Sequence, residues 1–324
     1  MSVIVEWHRA WSSDVSNAFE QLPADELMNV DVVRILFEHG SGRSRQKIGV
    51  LRDGGTVVGV LPLAWRVDWT GLYAWRLLTQ YVMPYARFFV LPGYTDLALR
   101  SMGGYFACDN VAFYELPKNT SVLQEETSWV APLSCTFDEL LRRTRYSSEY
   151  RRNQKKSSGL ELREDQFADI PQALDLWAAK WGQRGHGYTA NRRDDLLLGF
   201  QVLAEQGLLK TFSLYDGPSF VAMNINIVRA RGLHFMVTVS QDEYRSRNPG
   251  IRLVLATFAW ACNLGYTEYD MGRTSEAYKK RWADPEVRGY RLVRGPWGSQ
   301  LLGNLLEKAG NVMVKAQYKL GWRS

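Results

Sequence analysis

Apolar positions over residues 24–39 recur at helical spacing, at Leu27, Val30, Val33 and Leu36 or Phe37, with Gly40 following where a C-cap glycine would sit. The spacing predicts a helix there. The next segment, KIGVLRDGGTVVGVLPLAWRV, holds two β-rich runs joined by Asp53-Gly54-Gly55. That turn supplies positive φ at little cost, so the segment reads as a hairpin. Aromatic-rich strands and loops are expected from there to about residue 130. Helical patterns then cover 137–159, 170–185 and 196–207, the last closed by Gly207. A strand, an Asp216-Gly217 turn, a strand, an Arg231-Gly232 turn and a third strand follow.

The hairpin VLRDGGTVVGVLPLAWR is echoed by SLYDGPSFVAMNINIVR, each preceded by a helix. Internal duplication is one reading of the echo; two unrelated DG hairpins are the other. After the third strand come DEYRSRNPG, the apolar helix IRLVLATFAWACNLG closed by Gly265, and the short strand YTEYDMG. Strand, loop, helix and strand make a βαβ unit. Its loop sits at a helix N-terminus, where free N–H groups and the macrodipole favour anions. Arg245, Arg247, Asn248, Gly250 and Arg252 are the candidate anion-binding residues of that loop. A plain connection with solvated arginines is the alternative.

Composition narrows the classes. The chain has 324 residues, 46% of them hydrophobic, enough for one large domain or two ordinary ones. A net charge of +6 suits anionic ligands such as phosphates but is too small to announce a nucleic-acid-binding protein, DNA-binding proteins included. Cys108, Cys135 and Cys262 lie far apart, with no CxxC and no neighbouring His, so neither a metal centre nor a disulfide framework is expected. No run of about 18 apolar residues occurs and the first residues carry acid and His, which points to a cytoplasmic protein.

The stretch YRSRNPGIRLVLATFAWACNLGYTEYDMGRTSEAYKKRW resembles the C-terminal motif of the CelD-like branch of the GNAT acyltransferase superfamily. The matching residues are Pro249-Gly250, Ala261 to Gly265, Asp270, Gly272-Arg273, Tyr278-Lys279 and Arg281-Trp282. EYRRNQKKSSGLELR and KWGQRG also match, and are similar, more loosely, to Fem transferases, which use aminoacyl-tRNA. The resemblance implies an α+β fold of two tandem GNAT-like lobes, 1–130 and 131–324. Each would be a mixed, mainly antiparallel sheet flanked by helices around a splayed parallel strand pair. It also implies acyl-CoA as co-substrate, with no permanently bound cofactor. In one respect the loop departs from the family: Arg252 stands where Gly or Ala is usual, and Pro249 has no N–H to donate.

Acyl transfer needs a base, a stabiliser of the oxyanion and an acid for the leaving group. Asp270, His234, Tyr278 and Lys279 are the catalytic candidates; Arg152, Trp181, Arg184, Arg273, Glu276 and Trp282 are the candidates for contact with substrate. For each a structural role is the alternative: an ion pair for Asp270, strand packing for His234, core packing for the tryptophans and Tyr278, solvation for the basic residues. The C-terminal LLGNLLEKAGNVMVKAQYKLGWRS reads as an amphipathic basic helix that touches a membrane surface or packs back on the domain. Three functions remain open: acyl-CoA-dependent transfer to an amine or hydroxyl of a small-molecule or cell-envelope acceptor, aminoacyl-tRNA-dependent transfer, and a non-catalytic accessory role on the same fold.

Overall fold

The computed structural model describes residues 3–25, 27–41, 45–67, 73–118, 123–183, 190–273 and 277–294. The strands are β1 Val3–His8, β2 Gln46–Asp53, β3 Thr56–Val67, β4 Tyr73–Leu77, β5 Ala86–Val90, β6 Phe106–Phe113, β7 Leu123–Pro132, β8 Glu161–Glu164, β9 Leu209–Asp216, β10 Ser219–Val228, β11 Gly232–Ser240, β12 Glu268–Asp270 and β13 Asp284–Arg294. The helices are α1 Ser13–Glu20, α2 Val30–His39, α3 Thr95–Ser101, α4 Phe137–Arg143, α5 Ser147–Lys156, α6 Ile170–Gln183, α7 Ala190–Glu205 and α8 Pro249–Asn263.

The chain divides into two compact units, Met1–Glu126 with Arg288–Ser324, and Thr127–Val287. The sequence expectation was 1–130 and 131–324. It differs in the C-terminal stretch, because β13 pairs antiparallel with β6 from Tyr290↔Val111 to Arg294↔Phe106. Both units follow one plan. In the first, β1, β2, β3 and β4 are antiparallel neighbours, β4 meets β6 in parallel at Trp75↔Phe106, and β6 carries β13 antiparallel. In the second, β8, β9, β10 and β11 are antiparallel, β11 runs parallel to β12, and β12 carries β7 antiparallel. The fold is α+β with mixed, mainly antiparallel sheets, and the helix-then-hairpin echo lies at equivalent places in the two plans.

Local chemistry accounts for the elements and for where they depart from the periodicity. The helix expected over 24–39 begins only at Val30, because the Asn29 side chain accepts the Val32 N–H at 3.0 Å and caps it. The single helix expected over 137–159 is two. Thr136 and Glu139 form a capping box at the start of α4. That helix closes when Arg145 turns left-handed (φ 54°) and the Tyr146 N–H reaches the Leu141 carbonyl at 2.8 Å. Tyr146 then packs edge-on against Trp282, ring centroids 4.7 Å apart, in the core of the second unit with Phe258 and Tyr269. Arg145 therefore does not share a helix face with Arg152. Among the described residues no helix is long and apolar enough to cross a membrane. The C-terminal segment 301–324 lies outside the described residues.

The second unit turns on one close approach. β11 and β12 pair through Gly232↔Glu268, Leu233↔Tyr269 and His234↔Asp270. A Cβ on Gly232 would lie 1.9 Å from the Glu268 carbonyl oxygen. The two nearest obstructing atoms, the Glu268 carbonyl oxygen and carbon, are backbone, so relief requires moving a strand. Gly232→Ala should therefore lower stability by about 1–3 kcal/mol or more, read as a drop in urea midpoint. An unchanged midpoint would mean that the two strands can separate here freely.

Candidate active site

The parallel pairing stops at His234↔Asp270. β12 ends there, and the chain turns away through Gly272 (φ 79°) while Met271 and Gly272 bond to Trp129 of β7. β11 runs on to Ser240. A gap thus opens between two strands that began as neighbours. Opposite it, the β10–β11 register shifts between Ile225↔Val237 and Asn226↔Phe235, leaving Met236 as the extra residue of a bulge. The bulge puts Phe235 and Thr238 on one face of the sheet, and His234 on the other.

On the face shared by Thr238 lies a cleft of about 240 Å³ lined by Thr238, Ser240, Arg245, Asn248, Pro249, Gly250, Ile251, Val254 and Tyr278. Its floor is the start of α8. Asn248 sits left-handed (φ 51°) and makes no side-chain cap; its amide donates instead to Asn153 Oδ1 at 2.9 Å. Pro249 has no N–H. The Gly250 and Ile251 amides consequently begin the helix with no capping side chain, at the positive end of its dipole. A Cβ on Gly250 would meet nothing within 4 Å, so the backbone is open to the cleft.

The loop's arginines separate. Arg247 donates to Asp216 Oδ2 at 2.9 Å and to the Ser158 carbonyl at 2.8 Å. Arg252 donates to Gln154 Oε1 and approaches Ser157 Oγ at 3.3 Å. Both hold the loop and α8 against neighbouring elements. Arg245 is exposed in the cleft lining and has no side-chain partner among the described residues. It is the loop's available cation.

Asp270 and His234 meet at the vertex of the gap, Oδ2 to Nδ1, at 3.2 Å. Asp270 is 0% exposed and His234 4%. The other carboxylate oxygen accepts the Ser128 hydroxyl and the Gly272 N–H, the latter at 2.9 Å. The carboxylate lies within ion-pair distance of the imidazole and offsets any charge it acquires. Within the second unit, burial pushes the Cys262 thiol of α8 up to about 11, which disfavours its thiolate.

Against this geometry, residues 142–280 match the family described as "Acetyltransferase (GNAT) domain". They form a GNAT-type acetyltransferase domain. No curated protein sequence matches the chain. Among solved structures, FemX is similar with a TM-score of 0.53 at 13% identity, over 94% of this chain and 100% of that one. A conserved protein of unknown function from Bacteroides thetaiotaomicron VPI-5482 is similar with a TM-score of 0.51 at 12% identity, over 90% of this chain and 99% of that one. At such identities the likeness is one of fold.

Within and beside the GNAT domain the expected site residues separate by place. Tyr278 lines the cleft, and Lys279 is buried at 2% exposure, its Nζ 5.6 Å from the Phe235 ring centroid. Trp282 is a core residue between Tyr146 and Phe258. Arg152 and Arg273 are exposed. Arg184, Glu276 and the side chain of Trp181 lie outside the described residues. Sequence reasoning missed Ser128, because nothing local in β7 announces that it will pair with β12, and Thr238 and Ser240, which look like ordinary strand residues. Outside the domain, Glu6, His8 and Asp14 come within 4.8 Å of one another. Arg52 pairs with both acids there, at 3.3 and 2.5 Å, and supplies the balancing charge.

The buried vertex makes a stability prediction. Asp270→Ala strands His234 and the Ser128 hydroxyl, and should cost about 3–5 kcal/mol in chemical unfolding. Ser128→Ala, which removes one donor to a charged acceptor, should cost about 1.5–3 kcal/mol. Equal and negligible losses would mean that Asp270 is not held as an ionised partner.

Proposed function

We propose that the chain is an acyltransferase that moves an acyl group from acyl-CoA, or a similar thioester, to an amine or hydroxyl of a small-molecule or cell-envelope acceptor. The observation that carries this reading is the cleft at the uncapped start of α8, continuous in chain position with the strand gap and lined by Tyr278. Phosphate oxygens of the donor would rest on the Gly250 and Ile251 amides with Arg245 beside them. The amide-bearing arm would run along β11, whose groups facing β12 have lost their ladder partner beyond His234.

The two faces of the sheet then divide the chemistry. The acceptor's N–H or O–H approaches from the His234 face and attacks the thioester carbonyl carbon. His234 Nε2, with Nδ1 held by Asp270, takes the acceptor's proton as the new bond forms. The tetrahedral oxyanion is stabilised by main-chain N–H groups at the bulge around Met236. Collapse breaks the C–S bond, and the departing thiolate takes its proton from the Tyr278 hydroxyl on the other face. His234 then gives its proton to solvent and the Tyr278 phenolate takes one back from solvent, which completes the cycle.

A second donor is favoured by one observation. Arg151, Arg152, Lys155 and Lys156 are all exposed on α5, a display of charge suited to a polyanion such as aminoacyl-tRNA. The two donors separate by salt. Binding of tRNA should weaken steeply with ionic strength, whereas CoA binding, with few phosphates, should depend on it weakly.

Thermal-shift titration with CoA, acetyl-CoA and longer acyl-CoAs tests the leading reading. Ligand at 100 times its Kd should add about 2.7 kcal/mol to stability. The gain should shrink for Gly250→Ala, which places a methyl group in the cleft without loading the fold. Tyr278→Phe should bind the donor normally and lower kcat by about 10²-fold. No shift with any CoA ester would overturn the acyl-CoA reading. Binding without turnover of any amine or hydroxyl acceptor would leave an accessory role.

A further inference from the structure

A line of fully buried polar side chains runs through the core of the second unit and ends in the cleft. Asn224, Asn226, Thr257 and Tyr269 are each 0% exposed. The Tyr269 hydroxyl donates to Asn226 Oδ1 at 2.9 Å. Asn226 Nδ2 donates to Asn224 Oδ1, and lies 3.4 Å from the Lys210 carbonyl. Asn224 Nδ2 donates to Thr238 Oγ1 at 2.9 Å. Thr238 is half-buried and lines the cleft.

Each link fixes the direction of the next. The Lys210 carbonyl can only accept, so the Asn226 nitrogen must face it, and its oxygen is left for Tyr269. Burial raises the Tyr269 hydroxyl well above its ordinary pKa, so the phenol keeps its proton and remains a donor. With Asn226 presenting N–H to the Asn224 oxygen, Asn224 presents N–H to Thr238. The Thr257 hydroxyl, 3.3 Å from the same Asn224 oxygen, opposes no link in this order. A Thr oxygen that receives an N–H on the protein side has its own O–H hydrogen left to give.

We propose that Thr238 is a hydrogen-bond donor into the cleft, selecting a ligand oxygen that can only accept, and that Asn224 and Asn226 are positioning residues that set this direction. The ligand class follows: a carbonyl or phosphoryl oxygen of the acyl donor, and not an ammonium, meets this hydroxyl. The inference rests on the reading that the α8 cleft holds the donor. It adds a specificity element on β11 to the helix amides. A hydrogen bond that runs in one sense along a buried chain is also strengthened by its neighbours, which suits a group that must stay oriented before ligand arrives.

Calorimetric binding of acetyl-CoA to the full chain tests it. Wild type and Thr238→Ser should bind alike. Thr238→Val, which keeps the shape and removes the hydroxyl, should bind about tenfold more weakly when measured well below its Tm, which itself should fall because the buried Asn224 Nδ2–H loses its acceptor. In the double-mutant cycle, Asn224→Ala should weaken binding when residue 238 is Thr and have no further effect when it is Val. Equal affinity for wild type and Thr238→Val overturns the inference and leaves the acyl-CoA reading standing. Weakening by Asn224→Ala that is the same in both backgrounds removes the positioning role. If Asn224→Ala does not fold, the Ser and Val variants still decide the role of Thr238. Wild type that binds no CoA ester overturns the reading of the cleft, and the inference falls with it.

Discussion

Everything in the second unit that bears on chemistry depends on β11 and β12 touching for only three residues. The contact is close because Gly232 has no Cβ to hold the Glu268 carbonyl away. It ends because β12 is only three residues long and then turns at Gly272. Past that point β11 keeps its ladder with β10 on one edge and loses it on the other. Main-chain N–H and C=O groups in a folded core need partners. A sheet that gives up a parallel ladder in its middle leaves that edge of β11 without a strand partner among the described residues. The bulge at Met236 brings Phe235 and Thr238 to the α8 side and leaves His234 on the other.

Charge is sorted by the same architecture. The segment from Tyr244 to Trp282 is rich in cations, but the fold uses most of them internally. Arg247 and Arg252 tie α8 and its loop to the turn after β9, to the end of α5 and to Gln154. Arg281 bonds Glu149 at 2.6 Å and covers the Tyr146 ring. Lys279 is buried. What remains at the cleft is Arg245 with two backbone amides at a helix start. An anion bound there is recognised by fixed dipoles more than by mobile side chains, which costs less conformational entropy on binding. Pro249, which lacks an N–H, sits at the first helical position, where such loss is tolerated and the fixed φ favours the turn.

Much of this was legible in the sequence, and what was not shares a cause. The DG hairpins, the β11–α8–β12 unit and the anion-suited loop are local patterns: turn chemistry, 3.6-residue periodicity and a glycine after the helix. The parting of the two strands followed from the family resemblance, not from periodicity. The break at Arg145 was not legible, because a basic residue in a left-handed turn carries no composition signal; the packing of Tyr146 on Trp282 imposes it. Ser128 and β13 were missed because strand pairing across long sequence separation leaves no local trace. Asp270 was singled out for its place at a strand end, and that place was right. Its partners, His234 and Ser128, come from strands on either side of it. An ionisable group within reach of its carboxylate is the His234 imidazole, at 3.2 Å.

The buried asparagines of β10 carry the argument one step further. The strand SFVAMNINIV is otherwise apolar, and both its faces are buried. Apolar residues at 224 and 226 would pack such a strand without any polar group to satisfy, and replacing buried polar sets by apolar ones is often neutral or stabilising. Two amides at these positions must instead be met by Tyr269, Lys210, Thr238 and each other. Local rules broken inside a core tend to mark functional positions. Here the violation has an address: the chain of donors leads from the strand that bears Asp270 to a hydroxyl in the cleft, on the face where the helix amides also point. A network placed only to stabilise would have no reason to end at a half-buried side chain, where water can compete for its last member. That ending is what ties the polar core to the cleft, and the cleft to the gap between the strands.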